Sequence, residues 1–197
     1  LLLSSAFLVV ICWAMNTIFS FILKIPTNVE SAFITALILA LMLDPAQSAG
    51  DLRFLGWVAI LAMSSKYLLA IRKKHLFNPA AIAVVITALT MSGTASWWIG
   101  TASMLPAVLI GGWLIVRKTR QEGMALVFCA AALISTCLLT FAQGKVLSTE
   151  LMPLLLQSPL FFFASIMLTE PLTAPPTKKL KGIYAVLTGI IFVPLVH

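Results

Sequence analysis

Long apolar runs separated by short polar loops set the pattern of this chain. The runs cover residues 1–23, 32–43, 54–71, 80–91, 97–116, 124–141, 151–168 and 183–196. Inside lipid every backbone N–H and C=O must be paired within the protein, so a spanning segment is a helix or part of a closed barrel. No strict apolar–polar alternation supports barrel strands. The pattern therefore predicts an all-α, polytopic membrane protein of about eight transmembrane helices, one transmembrane domain over residues 1–197. A full crossing takes about 20 residues. Runs 32–43 and 80–91 fall short of that, and short or interrupted spans are tolerated only inside a bundle or beside a cavity.

Composition agrees. Hydrophobic residues make up 61% of the chain and charged ones 10%. A soluble domain carries about a quarter charged residues, so the apolar majority is expected to face a lipid bilayer. The net charge is +7. In a soluble protein that would suggest nucleic acid; here the basic loops of a membrane protein explain it, and no nucleic-acid partner is expected. Leu1 and the Val196-His197 end read as cuts in a longer chain.

The basic residues are unevenly placed. Lys24 follows the first run, Arg72, Lys73 and Lys74 the third, Arg117, Lys118 and Arg120 the fifth, and Lys178, Lys179 and Lys181 the seventh. If every run spans, these loops share one face, and the opposite face holds only Arg53 and Lys145. The excess assigns the basic loops to the cytoplasm and the protein to the inner (cytoplasmic) cell membrane. Lys66 lies within a run. It either snorkels to an interface or faces the bundle interior in search of an acid.

A shift of 126 residues lays Met42-Leu43-Asp44-Pro45 on Leu168-Thr169-Glu170-Pro171, and Gly56, Ala59 and Leu61 on Gly182, Ala185 and Leu187. An acid–proline turn followed by a glycine-led helix thus occurs twice. Five spans would separate the copies, which predicts an inverted repeat, with repeat one at about 1–118 and an incomplete repeat two at about 122–197. The second copy would need two further helices beyond His197.

Candidate chemistry centres on Lys74-His75-Leu76-Phe77-Asn78-Pro79-Ala80-Ala81. Asn78 suits a helix N-cap and Pro79 a first helical position. That is a sufficient structural explanation; the functional alternative is a helix aiming its positive end at an anionic or electron-rich ligand. Asp44 and Glu170, each before a proline, are either turn residues or a polar lining near a cofactor or ion path. Glu30 suits the first turn of a helix by its charge. No catalytic residues and no metal-ligand set are assigned. The two histidines, His75 and His197, lie at span ends, which disfavours haem.

The stretch from Lys74 to Ala81 resembles the K-x-x-F-N-P-A signature of the RnfD/NqrB family, membrane subunits of Rnf electron-transport complexes and of the sodium-translocating NADH:quinone reductase. Thr169-Glu170-Pro171-Leu172-Thr173-Ala174-Pro175-Pro176-Thr177, followed by Gly182 and Tyr184, resembles the family's T-D-P-x-T-x-x-x-T segment, with Glu170 in place of Asp. Gly111-Gly112-Trp113-Leu114 before Arg117-Lys118 is similar to its G-G-x-x-L helix.

The resemblance implies a ten-helix inverted-repeat fold similar to urea transporters. It also implies a flavin, FMN or riboflavin, near Lys74, Phe77, Asn78, Pro79, Thr169, Glu170, Thr173 and Thr177. The family's covalent site is a threonine in D-x-x-S-G-A-T. Here Ser92-Gly93-Thr94-Ala95-Ser96 lacks the aspartate and changes the order. A small-residue turn is the preferred account of that segment, and noncovalent flavin is expected rather than attachment at Thr94. Sister subunits hold an intramembrane iron–sulfur centre, but Cys12 and Cys137 are better read as small apolar fillers.

The function implied is electron transport between a cytoplasmic NAD(P)H- or ferredoxin-linked donor and a membrane or extracytoplasmic acceptor, with ion coupling open. Its partners would be a cytoplasmic reductase domain or subunit and other electron-transport subunits. The alternative is a non-redox channel or transporter for a small polar solute.

Overall fold

A computed structural model describes residues 1–71, 74–91 and 95–194. The described chain is all-α apart from one pair of two-residue strands. It divides into two compact units, Leu1–Trp98 and Ile99–His197.

In the first unit, α1 (Leu2–Leu23), α2 (Val29–Met42), α3 (Ala49–Leu68) and α4 (Pro79–Thr90) are helical. Their limits follow from local chemistry. The α1 helix stops where Lys24 turns left-handed at φ 53°. Asn28 caps α2 by accepting the Ser31 N–H at 3.0 Å. A capping box starts α3: Ser48 Oγ accepts the Asp51 N–H at 3.2 Å, while Asp51 Oδ2 accepts the Ser48 N–H at 2.9 Å. Strands β1 (Ala70–Ile71) and β2 (Lys74–His75) pair antiparallel, Ala70 opposite His75 and Ile71 opposite Lys74. Here α1 packs on α2 and α3, and α3 on α4.

In the second unit, α5 (Leu105–Thr119) turns through a left-handed Arg120 into α6 (Glu122–Ala142). Then come α7 (Leu147–Leu156), α8 (Leu160–Met167) and α9 (Lys178–Phe192). The seventh apolar run is thus two helices, bent by 54° around Ser158-Pro159, and α8 widens to π geometry over Phe163–Met167. Against α6 lies α9, through a core built on Phe128, whose ring meets Phe163 at 5.3 Å and Phe192 at 5.4 Å between centroids. Gly189 permits that approach: a Cβ there would lie 2.8 Å from Phe128 O and 2.8 Å from the Ala131 Cβ.

The expectation of eight transmembrane helices needs correction. Among the described residues α1 and α6 are long and apolar enough to cross a membrane, and α7 with α8 makes a third if the bent pair counts as one span. At about 1.5 Å per residue, 22 residues reach about 33 Å across a core of about 30 Å. The 14 residues of α2 and 12 of α4 do not. Neither do the 15 of α5 and of α9. N-caps at Asn28, Asn78 and Thr177 fix where α2, α4 and α9 begin. The 20-residue α3 is long enough, but each 18-residue stretch of it contains Asp51, Arg53 and Lys66.

The two long helices bury matching stripes. Ser4, Leu8, Cys12, Asn16 and Ser20 are the buried positions of α1; Met124, Phe128, Ala132, Thr136 and Thr140 are those of α6. Each stripe advances by four residues, one narrow face of a helix. The remaining faces carry exposed apolar side chains such as Phe21 (85% exposed) and Phe141 (72%).

Candidate functional site

The Asn78–Pro79 helix start has the geometry of a cap. Asn78 Oδ1 accepts the N–H groups of Ala80 at 3.0 Å and Ala81 at 3.1 Å. Pro79 is buried at the first helical position. Two donors of the first turn are therefore taken by the chain itself, while the helix dipole still places partial positive charge there. Phe77 is 55% exposed and Lys74, on β2, is also exposed.

Thr169, Glu170, Thr173 and Thr177 fall in one turn of the second unit, between α8 and α9. Several of its hydrogen bonds are local. The Thr169 hydroxyl donates to Ser165 O at 2.6 Å, and Thr177 Oγ1 accepts the Leu180 N–H at 3.3 Å as the cap of α9. Glu170 O accepts the Thr173 and Ala174 N–H groups at 3.2 and 2.9 Å. The Thr173 hydroxyl lies 3.4 Å from Glu170 Oε2. Lys74, Phe77, Asn78 and Pro79 belong to the other unit. Thr94 lies outside the described residues.

The acid–proline turn of the first unit differs. Asp44 and Pro45 line a cavity of about 770 Å³ together with Arg53, Phe54, Trp57 and Met91. Trp57 is 53% exposed, so one large ring is presented there. Asp51 also lines it, but its carboxylate is committed to the capping box. The Gln47 N–H, then the Ser48 side chain and the Ser48 N–H, hold it below the usual carboxylate range. None of the residues singled out beforehand as flavin contacts is among those lining this cavity.

A second arrangement was not anticipated. Asn16, fully buried on α1, accepts the Tyr67 hydroxyl at Oδ1, 2.7 Å away. Its Nδ2 has no hydrogen-bond partner among the described residues. The next residue on α3, Lys66, is 8% exposed and places Nζ 3.4 Å from Thr35 Oγ1 on α2. Lys66 therefore faces the interior of the unit, the second of the two placements open to it. His75 sits within reach of that charge: burial first, and the Lys66 ammonium second, push its imidazole pKa down. Its Nδ1 is buried with no partner among the described residues. A signal existed in the sequence, since Ser4, Cys12, Asn16 and Ser20 fall at multiples of four residues in a largely apolar run. It shows which helix face is polar, but nothing about Lys66 or Tyr67 meeting it.

No family model, curated protein or solved structure matches this chain.

Proposed function

We propose that the chain is a membrane electron-transport module of the RnfD/NqrB type, holding a flavin noncovalently and passing electrons from a cytoplasmic NAD(P)H- or ferredoxin-linked reductase to a membrane or extracytoplasmic acceptor. The cavity at the Asp44–Pro45 turn carries the proposal. Its volume of about 770 Å³ lies within the 300–1,000 Å³ of ligand pockets. A flavin needs a flat apolar contact and donors for its ring oxygens or phosphate. Trp57 and Phe54 offer the first and Arg53 the second. When bound, the flavin would supply the redox chemistry; the chain's part would be to orient it and limit water access.

The topology fits a cytoplasmic reductase partner. If α1, α6 and the α7–α8 pair are the spans, Lys24, Arg53, Lys74, Arg117, Lys118, Arg120, Lys178, Lys179 and Lys181 precede or follow crossings on one side, and Lys145 lies on the other. The positive-inside rule makes that side cytoplasmic.

The deciding experiment is purification in mild detergent followed by denaturation. Visible flavin absorbance that is released on unfolding and lost in Trp57→Ala is expected. Colourless protein that takes up neither FMN nor riboflavin overturns the proposal.

A second reading, a non-redox transporter for a small polar solute, draws on the interior cluster of Asn16, Tyr67, Thr35, Lys66 and His75, because buried polar groups in membrane helices commonly mark solute or ion paths. Solute flux into liposomes without any electron donor would favour it.

A further inference from the structure

The second unit carries an apolar groove with a basic end. Leu109, Trp113 and Val116 of α5, Leu126 and Cys129 of α6, and Phe161 of α8 line a space of about 290 Å³. Gly112 sets its floor: a Cβ there would lie 2.8 Å from the Ser165 Cβ, so α5 and α8 touch where a larger residue would separate them. Along α5 the groove extends from Val108 to Val116, about 12 Å at 1.5 Å per residue. One leaflet of a bilayer core is about 15 Å deep. The groove therefore covers most of the depth of one leaflet, enough to hold the greater part of one acyl chain.

Its α5 end runs directly into charge. Arg117 and Lys118 occupy the last turn of α5 and Arg120 the left-handed turn beyond, all exposed. Three cations stand there, and Glu122 also lines the groove. A neutral amphiphile would gain nothing from this end. An anionic head with an apolar tail matches both parts.

We propose that this groove binds one anionic phospholipid, its acyl chain along α5, α6 and α8 and its phosphodiester at Arg117, Lys118 and Arg120. The site requires a membrane location but not a flavin, so it stands or falls separately from the redox proposal.

Trp113, 58% exposed and lining the groove, is the reporter. Its signal is the fluorescence difference between the wild-type chain and Trp113→Phe. That difference is titrated in mixed micelles with phosphatidylglycerol or phosphatidylcholine, each brominated on the acyl chain. Half-quenching is expected at about tenfold lower mole fraction of the anionic lipid. The preference should vanish in R117Q/K118Q/R120Q and persist in excess inorganic phosphate. Ala125→Leu, which narrows the groove, should weaken quenching by both lipids. Equal quenching by the two lipids overturns the proposal and identifies a site for a neutral tail. A preference that survives in the triple variant, or that inorganic phosphate abolishes, overturns it as well.

Discussion

The helices α1 and α6 bury stripes of the same spacing, yet fill them with opposite chemistry. In α1 the stripe reads Ser4, Leu8, Cys12, Asn16, Ser20 and binds polar groups: Ser4 Oγ accepts the Ala46 N–H at 3.0 Å, and Asn16 holds Tyr67. In α6 it begins Met124, Phe128, Ala132 and seats the Phe128–Phe163–Phe192 cluster, turning polar only at Thr136 and Thr140. Lipid supplies no hydrophobic drive between helices, so close packing and small residues hold a unit of this kind together. The aromatic stripe with Gly189 does that in the second unit. Polar side chains at the same positions in the first unit are a weaker adhesive and a better lining. The difference points stability chiefly to α6–α9, and the proposed site lies in the first unit.

The largest effect should come from the second unit. Gly189→Leu drives a side chain into Phe128 O and Ala131, and Phe128→Ala empties the aromatic cluster at a cost of about 3–5 kcal/mol. Thermal unfolding followed by circular dichroism in detergent should show a large fall for both. A small change would dissolve the proposed division of labour. Asn16→Leu is the converse test. It removes the Tyr67 bond, worth about 1 kcal/mol net, and also an unpartnered buried amide. Stability should change little, while solute flux under the second reading should drop severalfold.

A smaller effect is expected at the α4 cap. Asn78→Ala leaves the Ala80 and Ala81 N–H groups without their acceptor and should cost about 1 kcal/mol. Flavin retention measured on the same variant separates capping from binding: unchanged flavin content leaves Asn78 a cap alone.

Acidification provides the last comparison. His75 is held below its ordinary value of 6.5, so between its folded and unfolded pKa the folded chain binds fewer protons than the unfolded one. Its contribution is complete above about pH 6.5 and is lost as pH falls through the depressed folded value. The melting temperature should decline over that window, and His75→Gln should flatten the decline. Asp51, also depressed, contributes above its unfolded value of 3.8 and loses that contribution as pH falls further. Asp51→Asn should therefore alter only the acid limb of the profile, and by less because the carboxylate is exposed.

Much of the local structure was legible from residue order. The all-α class follows from uninterrupted apolar runs, since lipid leaves the backbone few alternatives. Asn28, Ser48 with Asp51, Asn78-Pro79 and Thr177 mark helix starts because their side chains reach only the next few N–H groups, a purely local matter. Span number was less legible. Hydropathy reads the apolarity of a run, whereas crossing requires an unbroken helix of sufficient length, and Ser158-Pro159 bends the seventh run by 54°.

Sequence alone thus determined helical class, the Asn78–Pro79 helix start and the basic-loop asymmetry, because each is written in residue type and order along the chain. Tertiary packing decided that Asp44 opens on a cavity and that Lys66 faces Thr35. It also decided that Asn16 meets Tyr67, 51 residues away. Such encounters depend on which helix faces are brought together, and no periodicity within one helix specifies its neighbour.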